Sequence, residues 1–139
     1  MSLYLMDTDT VSLFQRGHLA VCANVAAHSP AEVGITVLTV EEQLSGWYRE
    51  LRRAKDPQSL ALIYQRMADT VQFYSPMRIF SFTEAAIGRY EGLKRLKLGV
   101  GKTDLRIGSI ALDQDATVVT RNLRDFQRIP DLKIEDWST

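Results

Sequence analysis

Residues 3–10 read LYLMDTDT, and this stretch decides the fold. A short apolar run fits a buried strand better than a helix of ordinary length. Asp7, Thr8, Asp9 and Thr10 follow at once. Such side chains start helices, because their oxygens accept from N–H groups that the first turn leaves unpaired. A buried strand that runs into a capped helix is the opening of a β-α unit, and the pattern recurs outward from it.

Two short helices follow the first strand, one from about Val11 to Phe14 and one from Leu19 to Ala27. GITVLTV (34–40) is compact and β-branched, a buried strand running into the helix EEQLSGWYRELRRAK (41–55). On that helix Leu44, Trp47, Tyr48 and Leu51 share one face and the arginines the other. Asp56-Pro57 breaks the chain, and SLALIYQRMADTVQFY (59–74) makes a second amphipathic helix, so the pair forms a helical hairpin. RIFSF (78–82) reads as a strand, and TEAAIGRYEGLKRLKLG (83–99) as a helix stopped by Gly99. LRIGSIALDQD (105–115) is a helix begun by Thr103 or Asp104, ATVVTRN (116–122) a strand with a polar end, LRDFQRIP (123–130) a short turn or helix, and LKIEDW (132–137) a last strand. Strands alternating with helices predict an α/β class, with a central parallel sheet of about five strands covered by helices on both faces, in a single domain spanning residues 1–139.

Composition narrows the chemistry. The 17 basic and 17 acidic residues cancel, unlike the basic excess of a DNA-coating protein. Cys22 is the only cysteine, so no internal disulfide forms; within LAVCANVAA it reads as a buried thiol of a protein in reducing cytoplasm. No signal peptide or membrane-spanning run is expected. Trp47, Tyr48, Tyr64 and Phe73 have helical spacing and read as core, or else interface, in preference to base-stacking platforms, His18 and His28 as surface or capping residues, and Trp137 as packing on the last strand.

In a parallel α/β sheet the ligand site lies beyond the carboxyl ends of the strands. Asp7 and Asp9 follow the first strand, Glu41 and Glu42 follow the second, Asp104 opens a later helix, and Asn122 and Asp125 follow ATVVTR. Any one of these acids alone is a cap or a solvated residue. Joint placement at one end of the sheet suggests a shared role instead, because clustered carboxylates repel one another until a cation neutralises them. Mg²⁺ or Mn²⁺ suits oxygen donors better than Zn²⁺, for which no His/Cys set is present. Such ions support phosphodiester hydrolysis.

With these residues in view, the chain resembles the PIN-domain ribonucleases, and more narrowly the VapC toxins of type II toxin–antitoxin pairs. LMDTDTVS resembles the opening motif, which gives Asp7 the first metal-binding role; ITVLTVEEQLSG gives that role to Glu42 rather than Glu41; GKTDLRIGSIAL gives it to Asp104. VVTRNLRDFQRIPDLKIEDW is the most specific stretch and is similar to the subgroup that cuts initiator tRNA in its anticodon stem-loop. Two positions depart from the pattern: Asp9 stands where the family usually has Asn, and Asn122 where many members carry a fourth acid, with Asp125 one turn on. The resemblance implies catalytic roles for Asp7, Glu42, Asp104 and Asp125, with Thr8, Thr120 and Asn122 in support. It also implies a PIN-like three-layer fold with a protruding helical hairpin, a homodimer, an RNA substrate and a VapB-like antitoxin. RNA contacts are expected from Lys102, Arg106 and Arg121, which lie nearest the acids, while Arg49, Arg52 and Arg53, and Lys94, Arg95 and Lys97, read as solvated faces. A response-regulator receiver domain fits poorly, since Thr83-Glu84 follows RIFSF and Arg121, not lysine, follows ATVVT. A PIN module without catalysis, and a PIN nuclease cutting ribosomal RNA or single-stranded DNA, are the other readings.

Overall fold

The computed structural model describes residues 2–139. Five strands form one sheet: β1 (Tyr4–Met6), β2 (Val33–Thr36), β3 (Arg78–Phe80), β4 (Thr117–Val119) and β5 (Lys133–Glu135). Seven helices connect them: α1 (Thr8–Gln15), α2 (Leu19–Ala26), α3 (Val37–Arg53), α4 (Pro57–Tyr74), α5 (Glu84–Arg95), α6 (Lys102–Asp113) and α7 (Leu123–Phe126). The order across the sheet is β3-β2-β1-β4-β5, and every pairing is parallel. The direction of travel reverses at β1, so a crevice opens where β1 and β4 end side by side.

Alternation along the strands builds two cores, because successive side chains leave a strand on opposite faces. Leu5 and Val118 pack on one face with Tyr90, Leu105, Ile107, Ile110 and Phe126. Met6 and Val119, one residue on, pack on the other with Val11, Ile35, Tyr74 and Trp137. The result is the three-layer α/β architecture expected from the sequence. Among the described residues no helix is long and apolar enough to cross a membrane.

Several local expectations are corrected. Strand β2 stops at Thr36, and Val37–Val40 form the first turn of α3. Leu38 and Thr39 are buried there, so helical register rather than β-branching decides the local backbone. Helix α5 ends at Arg95, short of Gly99; its last buried residue is Leu93, and Lys97 takes a left-handed turn position (φ 52°) before Gly99 does (φ 74°). Helix α6 begins at Lys102 with Gly101 as its cap, which sets Asp104 inside the first turn instead of at the cap. The hairpin of α3 and α4 forms, clipped where Trp47 Nε1 donates to Thr70 Oγ1 at 3.1 Å. Tyr48 and Tyr64 on it are 50% and 56% exposed, so they are not core. Cys22 is half-buried, and His28 caps the end of α2, its Nδ1 2.7 Å from the Asn24 carbonyl oxygen, while its ring stacks on Trp137 at 4.8 Å between ring centroids. His18 does cap α2, accepting from the Val21 N–H.

Candidate active site

The walls of the crevice are set by backbone register. Met6 pairs with Val119, and the Asp7 N–H donates to the Val119 carbonyl at 3.0 Å. Asp7 and Thr120 therefore leave the sheet side by side, although 113 residues separate them. A pocket of about 540 Å³ opens above them, lined by Asp7, Thr8, Asp9, Glu42, Asp104, Arg121 and Asn122. Segments distant along the chain thus meet at the expected end of the sheet.

Asp7 forms the floor and is 5% exposed. Its Oδ1 accepts from the Thr10 N–H at 2.9 Å, so it caps α1, and its Oδ2 accepts from Thr120 Oγ1 at 2.7 Å. Capping and site roles coincide in one side chain. Burial pushes its carboxyl above the ordinary value, against the pull of the Thr120 and Thr10 hydrogen bonds. Asp104 is also raised, first by burial and then by the charge of Asp7, with Glu42 and Asp125 adding to it. The two carboxylates lie close enough to feel each other and have no basic partner among the described residues' ion pairs.

Glu42 reaches the pocket from the second turn of α3, held by a short hydrogen bond from Thr8 Oγ1, which also bonds Thr39 Oγ1 at 3.0 Å. Glu41, its neighbour, does not line the pocket. Tyr74, whose buried hydroxyl lacks a partner, lies within the field of Glu42; burial and that charge push it up to about 12, so it stays neutral. Nothing in the sequence marked this tyrosine apart from its place at the end of a helix.

Asn122 stands between two acids: its Nδ2 donates to Asp104 Oδ2 at 3.3 Å and to Asp125 Oδ2 at 3.0 Å. The amide lines the pocket and Asp125 does not; Asp125 sits one step behind it, also 3.8 Å from Arg128. Asn122 therefore faces the pocket, and Asp125 touches it only through the Asn122 amide. Asp9 lies at the rim and takes two hydrogen bonds from Arg121, at 2.8 and 3.0 Å.

The three expected RNA contacts separate. Arg121 lines the pocket. Lys102 lines a neighbouring groove with Tyr90, Lys94 and Lys97. Arg106 is turned away: its guanidinium carbon lies 5.7 and 5.2 Å from the ring centres of Phe82 and Tyr90. Two residues on from Asp104, it is about 200° round α6, which explains the reversal.

The donor set tests the fit of a divalent ion. The polar atoms offered are carboxylate, hydroxyl and amide groups, the chemistry that hard cations select. Burial raises the carboxyls of Asp7 and Asp104, and Asp7, Glu42 and Asp125 add like charge at Asp104, which a cation would relieve. Among the described residues no group of three or more acidic, histidine or cysteine side chains is placed to hold a metal ion. Of the hard cations, Mg²⁺ keeps much of its own water and is bound through one or two carboxylates.

No protein-family model matches the chain. Among curated proteins, Ribonuclease VapC2 of Rickettsia felis is 36% identical over 69 residues, covering 47% of this chain and 52% of that protein. The tRNA(fMet)-specific endonuclease VapC of Salmonella typhimurium is 39% identical over 71 residues, 47% of this chain and 52% of that protein. The match thus spans about half the length of these two relatives. Ribonuclease VapC1 of Haemophilus influenzae is 23% identical over 138 residues, 98% of each chain. Among solved structures, DNA-bound VapBC from S. typhimurium superposes with a TM-score of 0.79 at 23% identity, over 99% of both chains. VapBC2 from R. felis, bound to a promoter DNA fragment, gives 0.73 at 23% identity over 97% of this chain and 98% of that one. The chain thus has the fold of these VapC structures, and it is similar in sequence to VapC ribonucleases over about half of its length at 36% identity and over nearly all of it at 23%.

Proposed function

We propose that this chain is a metal-dependent endoribonuclease, the toxin of a VapBC-type pair, and that it cuts tRNA in the anticodon stem-loop. One observation carries the reading: Asp7, Glu42, Asp104 and Asn122, drawn from four separate segments, line one pocket at the switch in strand order. The likeness to curated VapC ribonucleases supports the activity, and the one named as tRNA(fMet)-specific supports the substrate. The neighbours solved as VapBC complexes support a VapB-like antitoxin as partner. A homodimer working in the cytoplasm completes the proposal.

Mg²⁺ or Mn²⁺, held by Asp7 and Asp104 with Glu42 across the pocket, would supply a Lewis acid that neutralises phosphate charge and makes water acidic enough to attack phosphorus. The chain's own groups do the rest. Thr120 and the Thr10 N–H fix the two oxygens of Asp7, and Thr8 fixes Glu42, so the carboxylates meet the substrate without reorganising. Asn122, steadied by Asp125, holds Asp104 in place. Arg121 and Lys102 contact RNA phosphates. The products carry a 5′-phosphate and a 3′-hydroxyl.

The test is sequencing of RNA ends after the purified chain is incubated with total tRNA and Mn²⁺, beside Asp7→Asn. New ends in an anticodon loop, made by the parent alone, are expected. Cutting by both proteins equally would remove Asp7 from the mechanism. No cutting by either would leave a binding module in place of a nuclease.

A further inference from the structure

Arg121 is the one basic side chain among the described residues that line the acidic pocket. Asp9, in the first turn of α1, grips it through two parallel hydrogen bonds, Nε to Oδ2 at 2.8 Å and Nη2 to Oδ1 at 3.0 Å. The partners come from opposite walls of the crevice, 112 residues apart in sequence. Both side chains are half exposed, at 49% and 50%, and exposed ion pairs add little to stability. The pair is better explained by what it does to the pocket.

Two consequences follow from the chemistry of guanidinium. It has five N–H donors in a fixed plane, and Asp9 occupies two, leaving three to meet a planar or tetrahedral oxyanion. An unrestrained Arg121 would also be drawn toward Asp7 and Asp104, whose charges lack a basic partner, and would plug the pocket it borders. Asp9 holds the guanidinium at the rim, where it can meet an incoming phosphate while the floor stays open.

We propose that Asp9 is a positioning residue, which presets Arg121 to grip a phosphate of the RNA strand at the mouth of the pocket and keeps it off the carboxylates below. The proposal rests on the nuclease reading above. It predicts a split between binding and turnover. Asp9→Ala leaves Arg121 charged, so the affinity for RNA is unchanged or tighter, since one negative charge is gone. The cleavage step slows, by about ten- to a hundredfold, as misplacement of a clamp by an ångström or so does.

The experiment measures single-turnover cleavage with Mn²⁺, and Kd in metal-free buffer, using a synthetic RNA stem-loop with the initiator-tRNA anticodon sequence. The proteins are the parent, Asp9→Ala, Asp9→Asn, Arg121→Ala and the Asp9→Ala/Arg121→Ala double variant, each checked by thermal melting. The expected result is a slower rate at unchanged or lower Kd for both Asp9 variants. On the Arg121→Ala background the Asp9 change alters the rate by less than about twofold, because the two act as one unit. An equal loss on both backgrounds, no loss on either, or a Kd weakened as much as the rate overturns the role assigned to Asp9. If the parent itself neither binds nor cuts the RNA, the nuclease reading fails and this inference falls with it.

Discussion

At the scale of single residues, the site costs the fold stability. The carboxyls of Asp7 and Asp104 are raised by burial first, with the charge of Asp7 adding to the rise at Asp104, so the folded chain holds their protons more tightly than the unfolded chain. Their contribution is fully present below the ordinary value of 3.8 and is lost as pH rises through the raised values. Asp7→Asn should therefore abolish cleavage and yet melt no lower than the metal-free parent at neutral pH. The gap in Tm, variant minus parent, should widen as pH climbs from about 4, which melting at several pH values checks. Mg²⁺ should raise the parent's Tm and leave the variant's unmoved, with a gain of about 2.7 kcal/mol at a hundredfold excess over its Kd. Thr120 is the complementary case. It is fully buried, donates to Asp7 and accepts from the Asn122 N–H at 2.8 Å. Thr120→Val strands both groups and should cost about 1–3 kcal/mol in urea unfolding, with a slower cleavage rate. A Thr120→Val protein as stable as the parent would show that these bonds are dispensable.

At the scale of elements, short strands carry the site because their neighbours are held tightly. A Cβ on Gly34 in β2 would lie 2.9 Å from the Arg78 carbonyl oxygen and 2.9 Å from the Phe80 ring on β3. The carbonyl belongs to the paired strand and cannot swing aside, so Gly34→Ala should destabilise by about 1–3 kcal/mol, read from the urea midpoint. Gly108 in α6 would place its Cβ 2.7 Å from Ile129 Cδ1, the movable end of a side chain, and the cost there should be smaller. An equal loss for both would mean that backbone rigidity is not the reason. The strands themselves were readable, since each is an apolar or β-branched run between polar breaks. Their ends were less so. Val37–Val40 looks like strand and is helix, and α5 stops before the glycine that seemed to end it. In each case burial against the sheet outweighs a propensity worth only tenths of a kcal/mol per residue.

At the scale of the whole molecule, zero net charge still leaves local concentrations, with Asp7, Asp9, Glu42 and Asp104 lining one crevice beside Arg121, and Lys94, Lys97 and Lys102 lining a second groove. Lys102→Ala should lower the salt dependence of RNA binding by about 0.7 in the log–log slope, the value of one phosphate contact on a single strand. Arg106→Ala should leave that slope alone and lower Tm, because its guanidinium packs over Phe82 and Tyr90. Titration of binding against salt tells the two apart; a slope change for Arg106→Ala would return that residue to the RNA surface.

The sequence alone determined the alternation of strands and helices, and with it the parallel sheet and the end of that sheet where polar residues collect. Periodicity and caps are local properties, written within a few residues. Which of two neighbours faces the pocket is not local. Asn122 over Asp125 and Arg121 over Arg106 were decided by how each segment is rotated on the sheet, and by pairings such as Asp7 with Thr120 across 113 residues, whereas Glu42 over Glu41 was already marked by its motif. Only the packed structure fixes those rotations, because they minimise buried voids and unpaired polar groups summed over the whole core.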